Sequence, residues 1–443
     1  MCGIFAYYGV TTAGSKIEDA INRLSHRGSV GFGYCWLTAK GRSIHHRESD
    51  PASKIGIPST VGEEEGVLIA HWRYGTTGDS TVGSVQPFVG RNSDPVLAHN
   101  GQFLIPVRQD HSDSELFFHD LCKCRLRRDD QAFEALLRSH DGAFSIVCWL
   151  NGQLLAARDP HGLRPLFVGR LPGAIVVSSE TTALEVVGCS DIAEIPAGHW
   201  ASLDPARPPE FRSFGQSKIG FCAFEHIYFH SREGKLGGVP VWSWRNRLGA
   251  QLAREKPVNA DIIVPVPDSG RDAAEGFAKE LGLPINDAIR RNPLSARTFI
   301  ANEASRSSKI ACKYCFDEDA LAGRNVCLVD DSVVRGATLR FLEGELRRLG
   351  VKAVHARIAA PKFRYPCFFG IDIPNKADLA VTEEPAETLS ARFNLDSLEF
   401  LSVSGLHLAL DFSRLCTGCF TSRYPVDDSK IRRNEARKEP AYA

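Results

Sequence analysis

A cysteine at the second position of the chain, Cys2, is placed to act as a nucleophile. Most cysteines are small buried hydrophobes, and a chain terminus is the least suitable place to bury one. If Met1 is removed, Cys2 carries a thiol and a free α-amine on the same residue. An amine that titrates near pH ~8 is then a general base attached to its own nucleophile. With Met1 removed, Cys2 therefore has what it needs to attack an electrophile.

Four further residues supply what a thiol needs in order to attack a carboxamide. Such an attack generates an oxyanion, and "LAHNGQF" offers two donors for it, the side-chain amide of Asn100 and the backbone N–H of Gly101. Arg73 in "HWRYGTTG" suits an α-carboxylate, and Asp113 in "HSDSE" suits an α-ammonium. An amino acid that carries a side-chain carboxamide, an α-carboxylate and an α-ammonium, such as glutamine, matches all of these groups. Singly, an Asn-Gly pair is more often a hairpin turn, and a lone Arg or Asp is usually a solvated surface charge.

A second pattern, far along the chain, is typical of a sugar-phosphate site. Asp330 and Asp331 end the apolar run "NVCLVDD", and a helix is expected to follow. Carboxylates at the end of such a strand can hold ribose hydroxyls or Mg²⁺, and a helix N-terminus presents N–H groups to a phosphate. The alternative for the acidic pair alone is a strand that ends in a solvated turn. The helix start is formed by Arg335, Gly336, Ala337 and Thr338.

The thirteen cysteines are many for a reducing compartment, where we expect thiols, packing residues or metal ligands rather than disulfides. Cys416 and Cys419 form a C-x-x-C loop short enough for both thiolates to reach one metal, and Cys312 and Cys315 form another. Their spacing alone does not separate tetrahedral zinc from an iron–sulfur cluster. Three others lie in apolar runs and are expected in the core: Cys35, Cys148 and Cys327.

Length and composition indicate two globular domains. The chain has 443 residues, of which 43% are hydrophobic and 24% charged, with a formal net charge of zero. A neutral total argues against nucleic acid as a partner. No segment approaches the ~18 apolar residues that span a bilayer, and the first residues lack a signal-peptide pattern. We expect a cytoplasmic protein without a membrane partner.

The pattern of predicted strands and helices changes near residue 204. Before it, short apolar runs such as "AFSIVCWLNGQLLAARD" predict hairpins of an antiparallel sheet. The segment "DPARPPEFRSFGQSK" is rich in proline and polar residues and indicates a linker. After it, strands alternate with helices, which is typical of an open parallel sheet. We expect domains at residues 2–215 and 216–425, and a mobile tail at 426–443.

The first domain resembles the class II glutamine amidotransferases with an N-terminal cysteine nucleophile. The resemblance is carried, in order, by "MCGIF", "LSHRGS", "HWRYGTTG", "LAHNGQF" and "ARDPHGLRPL". It implies an αββα sandwich of the N-terminal-nucleophile type in which Cys2 attacks and Asn100 with Gly101 forms the oxyanion hole. It also implies that Arg73 and Asp113 anchor glutamine. The family's structural loop near the nucleophile is matched by His26, Arg27 and Gly28.

The second domain resembles the type I phosphoribosyltransferases, which implies an open, mostly parallel sheet and a bound Mg²⁺. Around Asp330 the resemblance is to the ribosyl-phosphate signature, and "PVPDSG" resembles the pyrophosphate loop. It implies a Mg²⁺ site of Ser269, Asp330 and Asp331, and places Asp268, Gly270 and Lys313 at the phosphoribosylpyrophosphate (PRPP) site with the helix-start residues.

Several positions of this domain depart from the family pattern. Ala337 stands where the family has Thr, Leu294 replaces a Tyr, and residues 301–316 match the mobile PRPP loop poorly. In that loop Arg306 is retained, but Ala311 stands at a basic position. These departures favour, as an alternative, a related enzyme with a different acceptor.

Nearly the whole chain resembles the glutamine phosphoribosylpyrophosphate amidotransferase family. Four segments of the second domain resemble this family in particular, namely "ARTFI", "FFGIDIP", "LEFLSVSGL" and "CTGCFTSRYP". The resemblance implies ammonia transfer from glutamine to C1 of PRPP and assembly into a homo-tetramer or dimer. Its cluster-bearing branch implies a [4Fe–4S] cluster, with zinc as the alternative. A non-enzymatic, cluster-bearing regulator is a third interpretation. The implied cluster ligands are Cys222, Cys367, Cys416 and Cys419.

Overall fold

The structure, a computed structural model, describes residues 1–49, 51, 55–75, 82–105, 111–125, 130–216, 221–292, 313–373, 379–380, 384–412 and 415–426. We refer to residues 1–216 as the first half and 221–426 as the second half. Several predictions from the sequence fall outside the described residues, namely those on Leu294, Arg306, Ala311, Cys312 and the tail from residue 427.

Short apolar segments of the first half form thirteen strands among the described residues. They are β1 (Gly3–Gly9), β2 (Gly31–Thr38), β3 (Ser43–Ser49), β4 (Gly66–Arg73), β5 (Phe88–Val89), β6 (Val96–Phe103), β7 (Gly142–Leu150), β8 (Gln153–Arg158), β9 (Phe167–Leu171), β10 (Ala174–Ser178), β11 (Ser190–Glu194), β12 (His199–Leu203) and β13 (Arg212–Ser213).

These strands form two antiparallel sheets that pack face to face. The seven-stranded sheet has the order β11-β9-β10-β1-β4-β2-β3, and the six-stranded sheet has the order β13-β12-β8-β7-β6-β5. Side chains such as Ile4, Ile69, Ala98 and Val147 fill the layer between them. The predicted antiparallel sheet and the Asn151-Gly152 hairpin turn are confirmed, since Leu150 pairs with Gln153.

Helices cover both outer faces of these sheets and complete an αββα sandwich. Two of them pack on the seven-stranded sheet and two on the six-stranded sheet. The first pair is α1 (Gly14–Asn22) and α4 (Thr181–Val187), and the second is α2 (Asp113–Cys124) and α3 (Asp130–Ser139). A capping box stabilises the start of α2, where the Ser112 side chain accepts from Glu115 N and Glu115 accepts from Ser112 N.

The described part of the second half adds ten strands and seven helices. The strands are β14 (Phe221–Cys222), β15 (Lys235–Leu236), β16 (Val239–Pro240), β17 (Ile262–Pro265), β18 (Ile289–Arg291), β19 (Tyr314–Phe316), β20 (Asn325–Asp330), β21 (Ala353–Ile358), β22 (Ser397–Phe400) and β23 (Leu415–Cys416). The helices are α5 (Val241–Glu255), α6 (Arg271–Leu281), α7 (Glu318–Leu321), α8 (Ala337–Arg348), α9 (Ala386–Arg392), α10 (Val403–Leu410) and α11 (Gly418–Thr421).

An open parallel sheet forms the centre of the second half, as the strand–helix alternation predicts. Its order is β17-β20-β21-β22, and all three pairings are parallel. Helices α5, α6 and α10 pack on one face, and α8 and α9 on the other. The carboxyl ends of β17 and β20 therefore lie side by side at one edge of the sheet.

The two halves share an apolar core. Met1, Ala143 and Leu163 of the first half pack in the same buried cluster as Phe224 and Phe369 of the second. Within the described residues, no helix is both long and apolar enough to cross a membrane.

Candidate active site

Cys2 lies directly before β1, in a cavity formed by both sheets of the first half. Its backbone N–H donates to Asn100 Oδ1 at 2.9 Å. The Tyr74 N–H points at the Cys2 Sγ atom, 3.5 Å away, and the thiol lies 3.9 Å from the Tyr74 carbonyl oxygen. Met1 precedes it as a buried residue, to whose sulfur Arg164 donates. When Met1 is removed, the nitrogen beside Asn100 becomes an α-amine.

The two predicted oxyanion donors come from β6, a strand of the opposite sheet. Asn100 is fully buried, and within the described residues its side-chain Nδ2 has no hydrogen-bond partner, which leaves a donor to be used. Gly101 has a φ of +139°, and a Cβ on it would lie 1.9 Å from the Ala143 carbonyl oxygen. Only glycine fits this backbone, so its N–H is presented without a side chain above it.

The predicted glutamine anchors line the same cavity as Cys2. Arg73 ends β4, and Asp113 begins α2; both are buried. Asp113 Oδ2 accepts from Phe103 N at 2.8 Å, which fixes the carboxylate. The cavity measures about 30 Å³, so side chains around it must move to admit an amino acid. The other lining residues are Tyr74, Ser84, Gln86, His99, Gly101, Ser112 and Ser114.

His71 lies next to the thiol and was not singled out from the sequence. In the β1–β4 register Ile4 is opposite His71, so Cys2 projects from the same face of the sheet two residues earlier. The His71 Nε2 atom lies 3.1 Å from the His99 carbonyl oxygen. Burial raises the pKa of Cys2, but the opposite effects of His71, the Met1 amino group and the Tyr74 N–H outweigh it and bring the pKa to about 6 in the chain that carries Met1. The thiolate is therefore the stable form at neutral pH.

A second cavity of about 390 Å³ opens at the carboxyl ends of β17 and β20. Its volume is in the usual range for small-molecule sites. The predicted residues Ser269, Lys313 and Asp330 line it. So do the remaining predicted residues of the acidic pair and the helix start, which are Asp331, Arg335, Gly336, Ala337 and Thr338.

Electrostatics at this cavity favour a cationic or proton-donating ligand beside the acidic pair. Asp330 and Asp331 are both buried, and burial together with the Asp331 charge raises the pKa of Asp330 well above its ordinary range. Helix α8 begins here, after Gly336 at a φ of +72°. Its first N–H groups face the cavity, where an anion is stabilised by the helix dipole.

Two predicted residues of the pyrophosphate loop, Asp268 and Gly270, do not line the cavity. The Asp268 carboxylate is instead paired with Arg291 at 3.0 Å, and Arg291 itself is a lining residue that sequence reasoning missed. Gly270 lies beneath the loop, where a Cβ would approach the Val329 carbonyl oxygen to 2.4 Å. Its role is to let the loop pack on β20.

Tyr74 lines both cavities. Its backbone contacts Cys2, and its ring packs edge to face on Phe229, which also lines the second cavity. Burial raises the pKa of the Tyr74 hydroxyl to about 12. Tyr74 follows Arg73 in the same motif, but its position between two sites depends on contacts that spacing does not reveal.

The four cysteines of the implied cluster lie together in the second half. Cys222 and Cys416 are paired on the parallel strands β14 and β23. Burial raises the pKa of Cys419 well above its ordinary range, and the nearby Cys367, Cys416 and Cys222 thiols raise it further. Within the described residues, no group of three or more His, Cys, Asp or Glu is placed to hold a metal ion. The predicted core thiols Cys35, Cys148 and Cys327 are buried, as expected.

Comparison with known proteins places this geometry among enzymes. Residues 76–186 match the family model described as a glutamine amidotransferase domain. The amidophosphoribosyltransferase of Methanocaldococcus jannaschii is 32% identical, over 96% of this chain and 98% of its own length. That of Pyrococcus horikoshii is 34% identical, over 96% of both chains.

Two solved structures have the same fold over nearly the whole chain. Glutamine phosphoribosylpyrophosphate amidotransferase from B. subtilis, complexed with ADP and GMP, has a TM-score of 0.82 and 29% identity, covering 96% of this chain and 98% of its own. A structure described as the allosteric regulatory enzyme of purine biosynthesis has a TM-score of 0.83 and 29% identity, covering 96% of each chain.

Proposed function

The chain belongs to the amidophosphoribosyltransferase family, and we propose that Cys2 starts its reaction by attacking the side-chain amide of glutamine. The overall reaction moves that amide nitrogen to C1 of PRPP. The products are 5-phosphoribosylamine, pyrophosphate and glutamate, which is the first step of purine synthesis. The different acceptor weighed from the sequence has no support, since these full-length relatives are all amidophosphoribosyltransferases.

Glutamine hydrolysis takes place at the first cavity. The free amine of Cys2 accepts the thiol proton, and the sulfur attacks the amide carbon. The Asn100 Nδ2 and the Gly101 N–H donate to the oxyanion that forms. The ammonium-bearing Cys2 returns its proton to the departing nitrogen, ammonia leaves, and water hydrolyses the thioester to glutamate. The low pKa of Cys2, about 6, supports a ready nucleophile.

Arg73 and Asp113 select glutamine by its two charged ends. Arg73 pairs with the α-carboxylate and Asp113 with the α-ammonium. Both side chains are buried at the cavity that holds Cys2, which supports these roles. Their charges offset those of the bound amino acid, so neither is left unpaired during catalysis.

PRPP binds at the second cavity. The N–H groups at the start of α8, with Thr338, hold the 5-phosphate, and Asp330 and Asp331 hold the ribose hydroxyls. Lys313 and the loop that contains Ser269 face the pyrophosphate, with Asp268 and Gly270 shaping that loop. Ala337 contributes its backbone N–H but no hydroxyl, which weakens the phosphate site relative to the family.

The main structural support for a reaction at two sites is that Tyr74 lines both cavities. Ammonia released at Cys2 emerges against a residue that also lines the PRPP cavity. Neutral ammonia therefore has a short route to C1 of PRPP, which matters because in bulk water it would be protonated.

Magnesium fits the acidic end of the PRPP cavity. The carboxylates of Asp330 and Asp331 with the Ser269 hydroxyl are oxygen donors of the kind that Mg²⁺ uses together with substrate phosphates. The burial of the two carboxylates and the raised pKa of Asp330 mark a place where a cation is favoured. When bound, Mg²⁺ supplies stabilisation of the charge on the departing pyrophosphate.

A [4Fe–4S] cluster held by Cys222, Cys367, Cys416 and Cys419 is the second proposed cofactor. All four are free thiols that are mostly buried, and the Phe369 N–H points at the Cys367 sulfur at 3.4 Å. Four thiolates are the donor set of a cluster, which would tie β14 and β23 to the loop at Cys367. The described side chains are not themselves arranged as a metal site, so the thiols would have to move to bind the cluster. Iron and sulfide analysis with a visible spectrum of anaerobically purified protein tests this, and zinc is the alternative outcome.

The domain bounds 2–215 and 216–425 are supported by the sheet pairings. Strand β13 ends at Ser213 in a sheet of the first half, and β14 begins at Phe221 and pairs with β23. Assembly into a homo-oligomer is proposed from the family resemblance, and light scattering of the purified chain measures it.

A turnover assay with glutamine and PRPP tests the proposed function. We expect pyrophosphate and glutamate to form in equal amounts, and only when both substrates and Mg²⁺ are present. Glutamate formation without pyrophosphate release would contradict the proposed transfer of ammonia to PRPP. Failure to hydrolyse glutamine at all would contradict the assignment of Cys2.

A further inference from the structure

The guanidinium of Arg27 is fully buried between the backbone of Cys2 and two carboxylates. Arg27 Nε donates to the Cys2 carbonyl oxygen at 3.1 Å. Its Nη1 donates to Glu180 at 2.6 Å, and its Nη2 donates to Glu225 at 2.8 Å. A second contact, from Nη1 to Glu225 at 3.3 Å, makes the Glu225 pairing bidentate. Bidentate pairing fixes the plane of a guanidinium as well as its position.

Glu225 comes from the other half of the chain, in the single π-helical turn Glu225–Phe229. This turn is held rigidly by one buried side chain. Arg245 donates to the carbonyl oxygens of His226, Tyr228 and His230 at 2.7 to 3.0 Å. The Glu225 carboxylate is therefore delivered to Arg27 from a fixed backbone.

Glu225 lies between two guanidiniums. Arg27 Nη2 lies 2.8 Å from its carboxylate and Arg164 Nη1 lies 3.6 Å from it. The His230 ring lies 3.9 Å from the same carboxylate. These buried neighbours fix the carboxylate in its bidentate contact with Arg27.

The nucleophile is held by its backbone on both sides. The Cys2 nitrogen contacts Asn100 Oδ1, and its carbonyl oxygen contacts Arg27. Since the direction of the sulfur follows from the backbone on either side of it, a tilt of the guanidinium plane changes the attack geometry. Displacements of about 1 Å at reacting atoms cost roughly a hundredfold in rate.

We propose that Glu225 is a positioning residue for Cys2, supplied by the second half of the chain and acting through Arg27. This inference rests on the proposed glutamine hydrolysis at Cys2. It makes the first site dependent on the second half for the orientation of its nucleophile. Neutralising Glu225 still leaves Arg27 paired with Glu180, so the effect expected at Arg27 is a reoriented guanidinium rather than an unpaired buried charge. Arg164 also loses its 3.6 Å contact with the Glu225 charge, a contact that the Arg27→Lys variant leaves in place.

The test compares two activities of Glu225→Gln in the full chain. Glutamine hydrolysis depends on Cys2, whereas 5-phosphoribosylamine formation from added ammonium depends only on the second site. We expect kcat for glutamine to fall by roughly ten- to a hundredfold. The KM for glutamine and the ammonium-dependent rate stay within about twofold, because the Glu225 side chain lines neither cavity.

Arg27→Lys is the second variant, and it keeps a positive charge between the two carboxylates while removing the Nε donor. We expect the same fall in kcat for glutamine. Glu280→Gln is the matched control, since Glu280 forms a bidentate pair with Arg254 at 2.8 Å on an exposed helix surface. It leaves both activities unchanged.

Three outcomes decide the matter. Glutamine hydrolysis within twofold of wild type in a folded Glu225→Gln protein overturns the inference. So does an equal loss of both activities in Glu225→Gln and Arg27→Lys, which indicates a structural role alone. A wild-type chain that does not hydrolyse glutamine refutes the proposed function instead, so the two failures are distinguishable.

Discussion

The rings of Tyr74 and Phe229 meet edge to face, with centroids 5.7 Å apart and planes at 89°. Tyr74 belongs to the glutamine site and Phe229 to the PRPP cavity, so this contact joins the two sites. Edge-to-face pairs of this kind are favoured by the ring quadrupoles. The pair presents apolar surface between the two sites, where the desolvation of a charged ammonium ion would cost far more than that of neutral ammonia.

Removal of the Tyr74 ring is expected to uncouple the two reactions. In Tyr74→Ala, ammonia escapes to solvent, so more glutamate forms than pyrophosphate. The measurement is the ratio of these two products at saturating substrates. Tyr74→Phe is the control, because it keeps the ring pair and loses only the hydroxyl. A ratio of one in both variants would show that the ring is not part of this apolar surface.

Cys2→Ala is expected to abolish glutamine use and retain activity with added ammonium. The reason is that the second cavity does not include Cys2. Pyrophosphate release with each nitrogen source measures the effect. Cys122→Ala, at a half-buried thiol on α2, serves as the control and keeps both activities. Glutamine hydrolysis by Cys2→Ala would show that another group attacks.

The pH dependence of Cys2 reactivity follows from its pKa of about 6. Because this pKa is lowered, the thiolate persists at neutral pH and is protonated only as the pH falls through 6. Alkylation by iodoacetamide should therefore follow a single titration with a midpoint near that value. In His71→Gln the midpoint moves up, toward the ordinary thiol range near pH ~8.5. An unchanged midpoint would show that His71 does not act on the thiol.

Ala337→Thr is expected to strengthen PRPP binding. Ala337 is the first residue of α8 and lines the PRPP cavity, so an added hydroxyl there becomes a phosphate donor. One hydrogen bond to a charged group contributes about 1.5 to 3 kcal/mol, which corresponds to a KM for PRPP lower by roughly tenfold or more. The KM for glutamine is the internal control. An unchanged KM for PRPP would place the phosphate elsewhere.

Gly370→Ala is expected to damage the glutamine site from the second half. A Cβ on Gly370 would lie 2.8 Å from the Gly101 backbone, and its φ of +91° disfavours any side chain. We expect a loss of about 1 to 3 kcal/mol of stability and a lower kcat for glutamine. Thermal unfolding and glutamine turnover measure both effects.

Gly344→Ala is the matched control for that substitution. Gly344 lies in α8 with open space around its Cβ position, and alanine there raises the free energy of unfolding by about 0.5 to 1 kcal/mol. If Gly370→Ala were as stable and as active as Gly344→Ala, the result would show that Gly370 does not closely approach Gly101.

Short motifs predicted much of the fold, and most of the residues they single out line the two cavities. The hairpin at Asn151 follows from local turn chemistry and is present. Ser15 and Glu18 have the spacing of a capping box, yet they do not form one. Helix α1 begins at Gly14 without a side-chain cap, and Glu18 instead accepts from Ile57 N at 3.4 Å. A local sequence pattern contains no information on a tertiary contact such as that between Glu18 and Ile57, which competes with the cap.

Residue type and spacing by themselves determined which groups are present for chemistry. They identified the thiol of Cys2, the amide of Asn100, the charges of Arg73 and Asp113 and the acidic pair, because a reactive group keeps its chemistry wherever the chain places it. They also determined the strand–helix alternation of the second half, which depends on local hydrophobic periodicity.

Only the tertiary structure decided which of these groups meet. Arg27 and Glu225 lie 198 positions apart in sequence yet form a bidentate pair beside Cys2, and Tyr74 lines two cavities at once. Such contacts result from the packing of sheets and helices from both halves. Many distant segments determine that packing jointly, so the spacing of residues within any one motif does not specify it.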